Sequence, residues 1–173
     1  MTIQPVSVAA HEAQATQFKP VHGLSATNLN DLRLFLYKWF THFEHAAPTA
    51  FYLSHLENNN MHVAFPGMAP LTSHADFTGW YANLLAQTLW NFHDVSAIQI
   101  KRTAPQDYLI SFLVDWYGEV RPDSDQLAGW QSRSDSLLYH HKLRQTWTVR
   151  TGDRLLIEKL VVTGADTPSP ISA

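Results

Sequence analysis

Hydrophobic and polar positions along this chain change their period three times, and each change predicts an element. Leu29, Leu32, Phe35, Leu36, Trp39, Phe40 and Phe43 recur at helical spacing and predict one apolar helix face. Asn28 or Asn30 would cap that helix and Pro48 would end it. Thr49 to Leu56 predicts a short second helix, and the Asn58-Asn59-Asn60 run a turn. Met61 to Phe65 predicts a short strand, broken by Pro66 and Gly67. Ser73 and Asp76 have capping-box spacing and open another helix, with Phe77, Trp80, Tyr81, Leu84, Leu85, Thr88 and Phe92 on one side. Beyond it the pattern becomes strand-like over 95–101, 108–120, 136–150 and 155–163. Pro105-Gln106-Asp107 and Thr151-Gly152-Asp153 read as tight connections between antiparallel neighbours. Residues 122–134 form a longer polar loop holding Trp130. Helices first and hairpin-linked strands later argue for α+β with an antiparallel sheet.

The flanks lack this patterning. Residues 1–26 mix Gln, Ala, Ser and Thr with Pro5, Pro20 and Gly23, and read as an N-terminal arm without a core of its own. Residues 27–164 read as one domain, and 165–173, with Pro168 and Pro170, as a flexible tail. At 173 residues the chain can bury a core without disulfides or a structural metal. Charged residues are only 16%, against about 25% in an average soluble domain. That shortage predicts that a second copy covers part of the surface.

The net charge of −3 comes with no Lys/Arg-rich run, so no nucleic-acid partner is expected. Absence of cysteine excludes disulfides, thiolate metal sites and a cysteine nucleophile. No apolar run approaches a membrane span and Met1 to Ala15 has no secretory pattern, so a cytoplasmic protein without membrane partners is expected. The ten histidines make behaviour sensitive to pH below about 6.5.

The segment MHVAFPGMAPLTSHADFTGWYANL resembles the nuclear-transport-factor-2-like superfamily, in particular its polyketide-cyclase-like (SnoaL-like) group. It has a short strand ending in Phe-Pro, a loop, and then Ser73-His74 where the group carries a Gly-His-like pair, so the glycine is missing. LRQTWTVRTGDRLLIEKLVV is similar to the superfamily's last hairpin. The resemblance implies a cystatin-like cone, with a curved antiparallel sheet packed against N-terminal helices. It also implies a small-molecule pocket between the two, and homodimers through the sheet. The matching motifs are structural, so no catalytic set is carried over.

Candidate chemistry comes from strand faces, since successive side chains alternate. Asp115 shares a face of its strand with Leu109, Ser111, Leu113 and Tyr117, while Ile110, Phe112, Val114 and Trp116 share the other. A carboxylate on a half-apolar face is either a general acid or base or a structural ion pair, here with Arg144 or Lys142. On the next strand Tyr139, His141, Leu143, Gln145 and Trp147 share a face that mixes aromatic walls with polar tips, as a pocket requires.

The candidate catalytic set is therefore Asp115 as base or acid, with His141 as proton shuttle and Tyr139 as an oxyanion or orienting donor. The alternative for His141 is a hydrogen-bonded core or dimer-interface histidine. Candidate ligand contacts are Tyr81, Trp147, Gln145, His74 at a helix start, and Trp116 if its face turns inward. His42 and His45 stand at i and i+3, and a shared site with His55, His62, His74 or His93 is conceivable. No metal-ligand signature is present, however, and neither metal nor cofactor is expected.

Two functions fit. One is a cofactor-independent isomerase, dehydratase or cyclase acting by general acid–base catalysis on a small apolar molecule. The alternative is a non-catalytic dimeric module for ligand binding or assembly.

Overall fold

A computed structural model describes residues 29–121, 138–164 and 169–170. The arm, the 122–134 loop with Trp130 and most of the tail lie outside these residues.

Helix α1 spans Leu29–Glu44 and buries Leu32, Phe35, Leu36, Trp39 and Phe40 of the predicted stripe, while Phe43 is half-buried and Leu29, at the helix start, is exposed. It ends at Glu44 rather than running to Pro48. Ala46 takes a positive φ of 49° in the turn that follows. Pro48 instead precedes helix α2, Thr49–Leu53, which is three residues shorter than the pattern suggests. Strand β1 is His62–Ala64.

Helix α3, His74–Gln87, starts at Ser73, whose side chain accepts a hydrogen bond from the Asp76 N–H. The Asp76 carboxylate reaches back to the Thr72 N–H, so the cap is reciprocal in kind but displaced by one residue from a true capping box.

The helical reading of Thr88 and Phe92 is corrected. Both belong to strand β2, Thr88–Arg102, which leaves α3 without a loop. Thr88, Asn91, His93 and Val95 turn one way, and the exposed Trp90 and Phe92 the other; a register irregularity between Thr88 and Trp90 absorbs the broken alternation. A second irregularity between Ser96 and Gln99 places Ala97 at φ 51°.

Strands β3 (Asp107–Val120), β4 (Leu138–Arg150) and β5 (Leu156–Gly164) complete the sheet, in the order β1-β5-β4-β3-β2. The neighbours β2 to β5 are antiparallel, and β1 joins β5 in parallel. Within the expected tail, Ser169–Pro170 form a two-residue strand β6 against Tyr139 and His140.

The register decides which faces look inward. Trp116 pairs with His141, Val114 with Leu143, Phe112 with Gln145 and Ile110 with Trp147, and this face receives α1. Trp39 and Trp147 meet edge to face at 5.3 Å, and Phe40 meets Phe112 at 5.9 Å. Aromatic rings thus supply both surfaces of the core, where each buries a large apolar area. No described helix is long and apolar enough to cross a membrane.

Candidate functional site

The core does not fill the cone. The C-terminal half of α1, helix α3, the segment after β1 and the inner sheet face enclose a cavity of about 360 Å³. Its walls are aromatic and aliphatic: Phe40 and Phe43 from α1, Trp80 and Leu84 from α3, Phe65 and Met68 beyond β1, and Trp116, Leu143 and Val162 from the sheet. Gly67, at φ 77°, makes the turn that brings Met68 to the mouth. Polar lining groups are few: Asn83, Thr88, Asn91, His93 and Gln145. An apolar cavity with a few convergent polar groups is the usual form of a small-molecule site.

One polar pair stands out. Glu44, the last residue of α1, accepts the backbone N–H of His93 at 2.8 Å, and its Oε1 lies 3.5 Å from the His93 Nδ1. At that distance Nδ1 makes no full hydrogen bond and the ring contact is electrostatic. Burial pushes the His93 imidazole below its ordinary value, and the Glu44 carboxylate only partly opposes this. Burial also works to raise the Glu44 carboxyl, but the His93 ring and backbone N–H outweigh it and hold the group below the usual range.

The result is a neutral imidazole beside an ionised carboxylate, the combination that favours a proton on Nδ1 and a free lone pair on Nε2. The His93 ring packs against Phe40 at 4.9 Å, which fixes its plane.

No family model matches the chain, and no curated protein matches it. Solved structures do. A candidate aromatic ring hydroxylase from Novosphingobium aromaticivorans superposes with a TM-score of 0.66 at 11% identity, over 81% of this chain and 90% of that one. A candidate scytalone dehydratase from the same organism gives 0.65 at 8%, over 82% and 86%. A candidate dehydratase of the NTF2-like family from Streptomyces avermitilis gives 0.63 at 16%, over 85% and 99%. The chain has the nuclear-transport-factor-2-like fold. Its curved sheet with N-terminal helices is the cystatin-like cone that the resemblance implied.

Within the NTF2-like cone the residues singled out from the sequence separate into three groups. Trp116 and Gln145 line the cavity, Trp116 because its face does turn inward. His141 is on the same face and buried, but it lies beneath Trp116 rather than among the lining residues, with ring centroids 5.5 Å apart. Tyr139 stacks beside it at 6.1 Å.

Three proposed ligand contacts are structural. Tyr81 is fully buried, and its hydroxyl donates to the Ala47 carbonyl at 2.8 Å, tying α3 to the turn before α2. Trp147 is core, and its Nε1–H donates to Gln145 Oε1 at 3.0 Å. His74 Nε2 donates to the Leu56 carbonyl at 3.1 Å. None of the three lines the cavity.

Asp115 requires the main correction. It pairs in register with Lys142, on the outer face of the sheet, so it does not share a site with His141. Its Oδ1 lies 2.8 Å from His140 Nε2 and 3.9 Å from Lys142 Nζ, which is the structural ion-pair reading. His42 and His45 each commit Nδ1 to a helix carbonyl four residues back.

Beside the lining His93 stands one residue that the sequence reading passed over. Glu44 follows Phe40 by one helical turn, on the apolar side, at the helix end where a carboxylate opposes the macrodipole. An acidic group in that position signals a partner elsewhere in the fold.

Proposed function

We propose that this protein is a cofactor-independent acid–base enzyme that removes a proton from a small apolar molecule, with elimination as the reaction class. His93 on the cavity wall, with the Glu44 carboxylate beside it, carries the reading. In this reading the Glu44 charge beside Nδ1 favours the proton there, and the lining imidazole acts through Nε2 as general base. A neutral imidazole can accept a proton from carbon next to a carbonyl. The electrons of that bond then form a double bond as a β-hydroxyl departs, and the proton returned to this oxygen makes the second product water. Aromatic walls exclude solvent, which strengthens the base–substrate interaction. Two of the structural neighbours described above carry dehydratase names, and that supports elimination over the isomerisation and cyclisation also considered.

The test uses cyclic β-hydroxyketones and simple cyclic ketones as probes in D2O. NMR follows deuterium entry beside the carbonyl, and absorbance follows enone formation. Exchange or elimination that falls about 100-fold or more in His93→Asn is the expected result. Binding without either reaction across the panel rejects the enzymatic reading and leaves a ligand-binding module.

A further inference from the structure

Gln145 is a buried amide whose orientation is fixed from below. Its side chain is 6% exposed, on β4 between Leu143 and Trp147, and it lines the cavity. The Trp147 indole N–H can only donate, and it donates to Gln145 at 3.0 Å. The amide oxygen must therefore face Trp147, and the NH₂ group must face the other way. Trp147 itself cannot turn, because it is fully buried among Phe35, Trp39, Phe40 and Phe112. Among the described residues nothing accepts a hydrogen bond from Gln145 Nε2.

A donor held in an apolar chamber without a protein acceptor is a demand on the ligand, since burying it unmet carries a cost. We infer that Gln145 is the specificity-determining group of the cavity, and that the ligand is a small cyclic molecule presenting an acceptor oxygen, a ketone or ether, to its NH₂ group. The lining residues on its own strand and the next, Leu143, Leu160 and Val162, are aliphatic, and the polar lining groups Thr88, Asn91 and His93 stand two strands away on β2. A hydrocarbon of the same shape would fill the cavity and leave the amide unpaired. This inference names the substrate class for the site proposed above, but it rests only on that cavity taking a ligand, not on catalysis.

The test is calorimetric titration with 1-tetralone and tetralin, a ketone and a hydrocarbon of nearly equal size. The wild-type protein should prefer the ketone about tenfold. His93→Asn should keep that preference, so loss of catalysis and loss of recognition are read separately. Gln145→Leu should bind the hydrocarbon and lose the preference. Trp147→Phe keeps Gln145 but releases its oxygen, so the amide can turn and the preference should fall severalfold. Equal affinity for the two probes in the wild-type protein, or a preference that survives in folded Gln145→Leu, overturns the assignment.

Discussion

The indole of Trp116 lies across the bare Cα of Gly118. A Cβ on Gly118 would stand 2.8 Å from Trp116 Cη2 and closer still to Cζ2, well inside contact distance. Trp116 is also a cavity wall. Gly118→Ala should therefore lift the indole into the cavity, at a cost of about 1–3 kcal/mol in stability. Bicyclic ligands should lose about tenfold or more in affinity while monocyclic ones change little. Melting temperature and titration with ligands of two sizes check this; an unchanged size preference would remove Gly118 from the account.

Glu44 acts on His93 in two ways, through the ring and through the backbone N–H. Glu44→Gln keeps an acceptor for the N–H but removes the charge that partly opposes burial. The His93 pKa should then fall further, as read from its ring protons by NMR, and turnover should drop about 10- to 100-fold. Glu44→Ala should in addition destabilise the fold by about 1–3 kcal/mol, since the His93 N–H loses its partner. A rise in the His93 pKa on charge removal would contradict the pairing.

Buried histidines should make the fold acid-labile. Burial first, and the neighbouring His140 second, push His141 down to about 4. Burial also lowers His55, although its bond to the Leu155 carbonyl opposes this. A histidine with a depressed folded pKa stays neutral while the unfolded chain takes up a proton. Its contribution is full above about pH 6.5 and is lost as pH falls towards the folded value. His141 alone should remove about 3 kcal/mol between pH 6.5 and 4. Urea unfolding at pH 7.5 and 4.5 measures the loss, and His141→Gln should flatten it. Stability that holds steady across this window would show that His141 is protonated in the fold.

The α1 stripe was legible because a single period governs it from Leu32 to Phe43. The α3–β2 junction was not, because Thr88 and Phe92 satisfy a helical spacing from Leu84 and Leu85 as well as a strand. That ambiguity hid His93, which fell between the predicted helix and the predicted strand. Its partner Glu44 is 49 residues away, so no local pattern links them. On β3 the separation of Asp115 from Trp116 was readable, yet which face looks inward depends on pairing with β4 and β2. Gln145 was visible as a polar tip on an aromatic strand, but its fixed orientation needed Trp147 in place.

The outer sheet face carries exposed aromatic rings. Trp90 and Phe92 are 44% and 51% exposed, although both are large and apolar. Phe92 meets Tyr117, which stacks on His140 at 4.4 Å, so the aromatic surface continues across three strands. Next to it Asp94 and Asp115 are direct cross-strand partners, an unfavourable neighbourhood of like charge, with Lys142 one strand further on. A two-fold axis sets such a face against itself, which would cover the rings and bring cations of the second copy to the carboxylates. The expected outcome is a dimer in size-exclusion chromatography with light scattering. Phe92→Lys should yield a folded monomer, because that side chain makes no inward contact in the core. Asp115→Asn should weaken the dimer while leaving ligand affinity unchanged, since it stands on the side of the sheet away from the cavity. A wild-type protein that stays monomeric at micromolar concentration would mean that these rings meet solvent or a different partner.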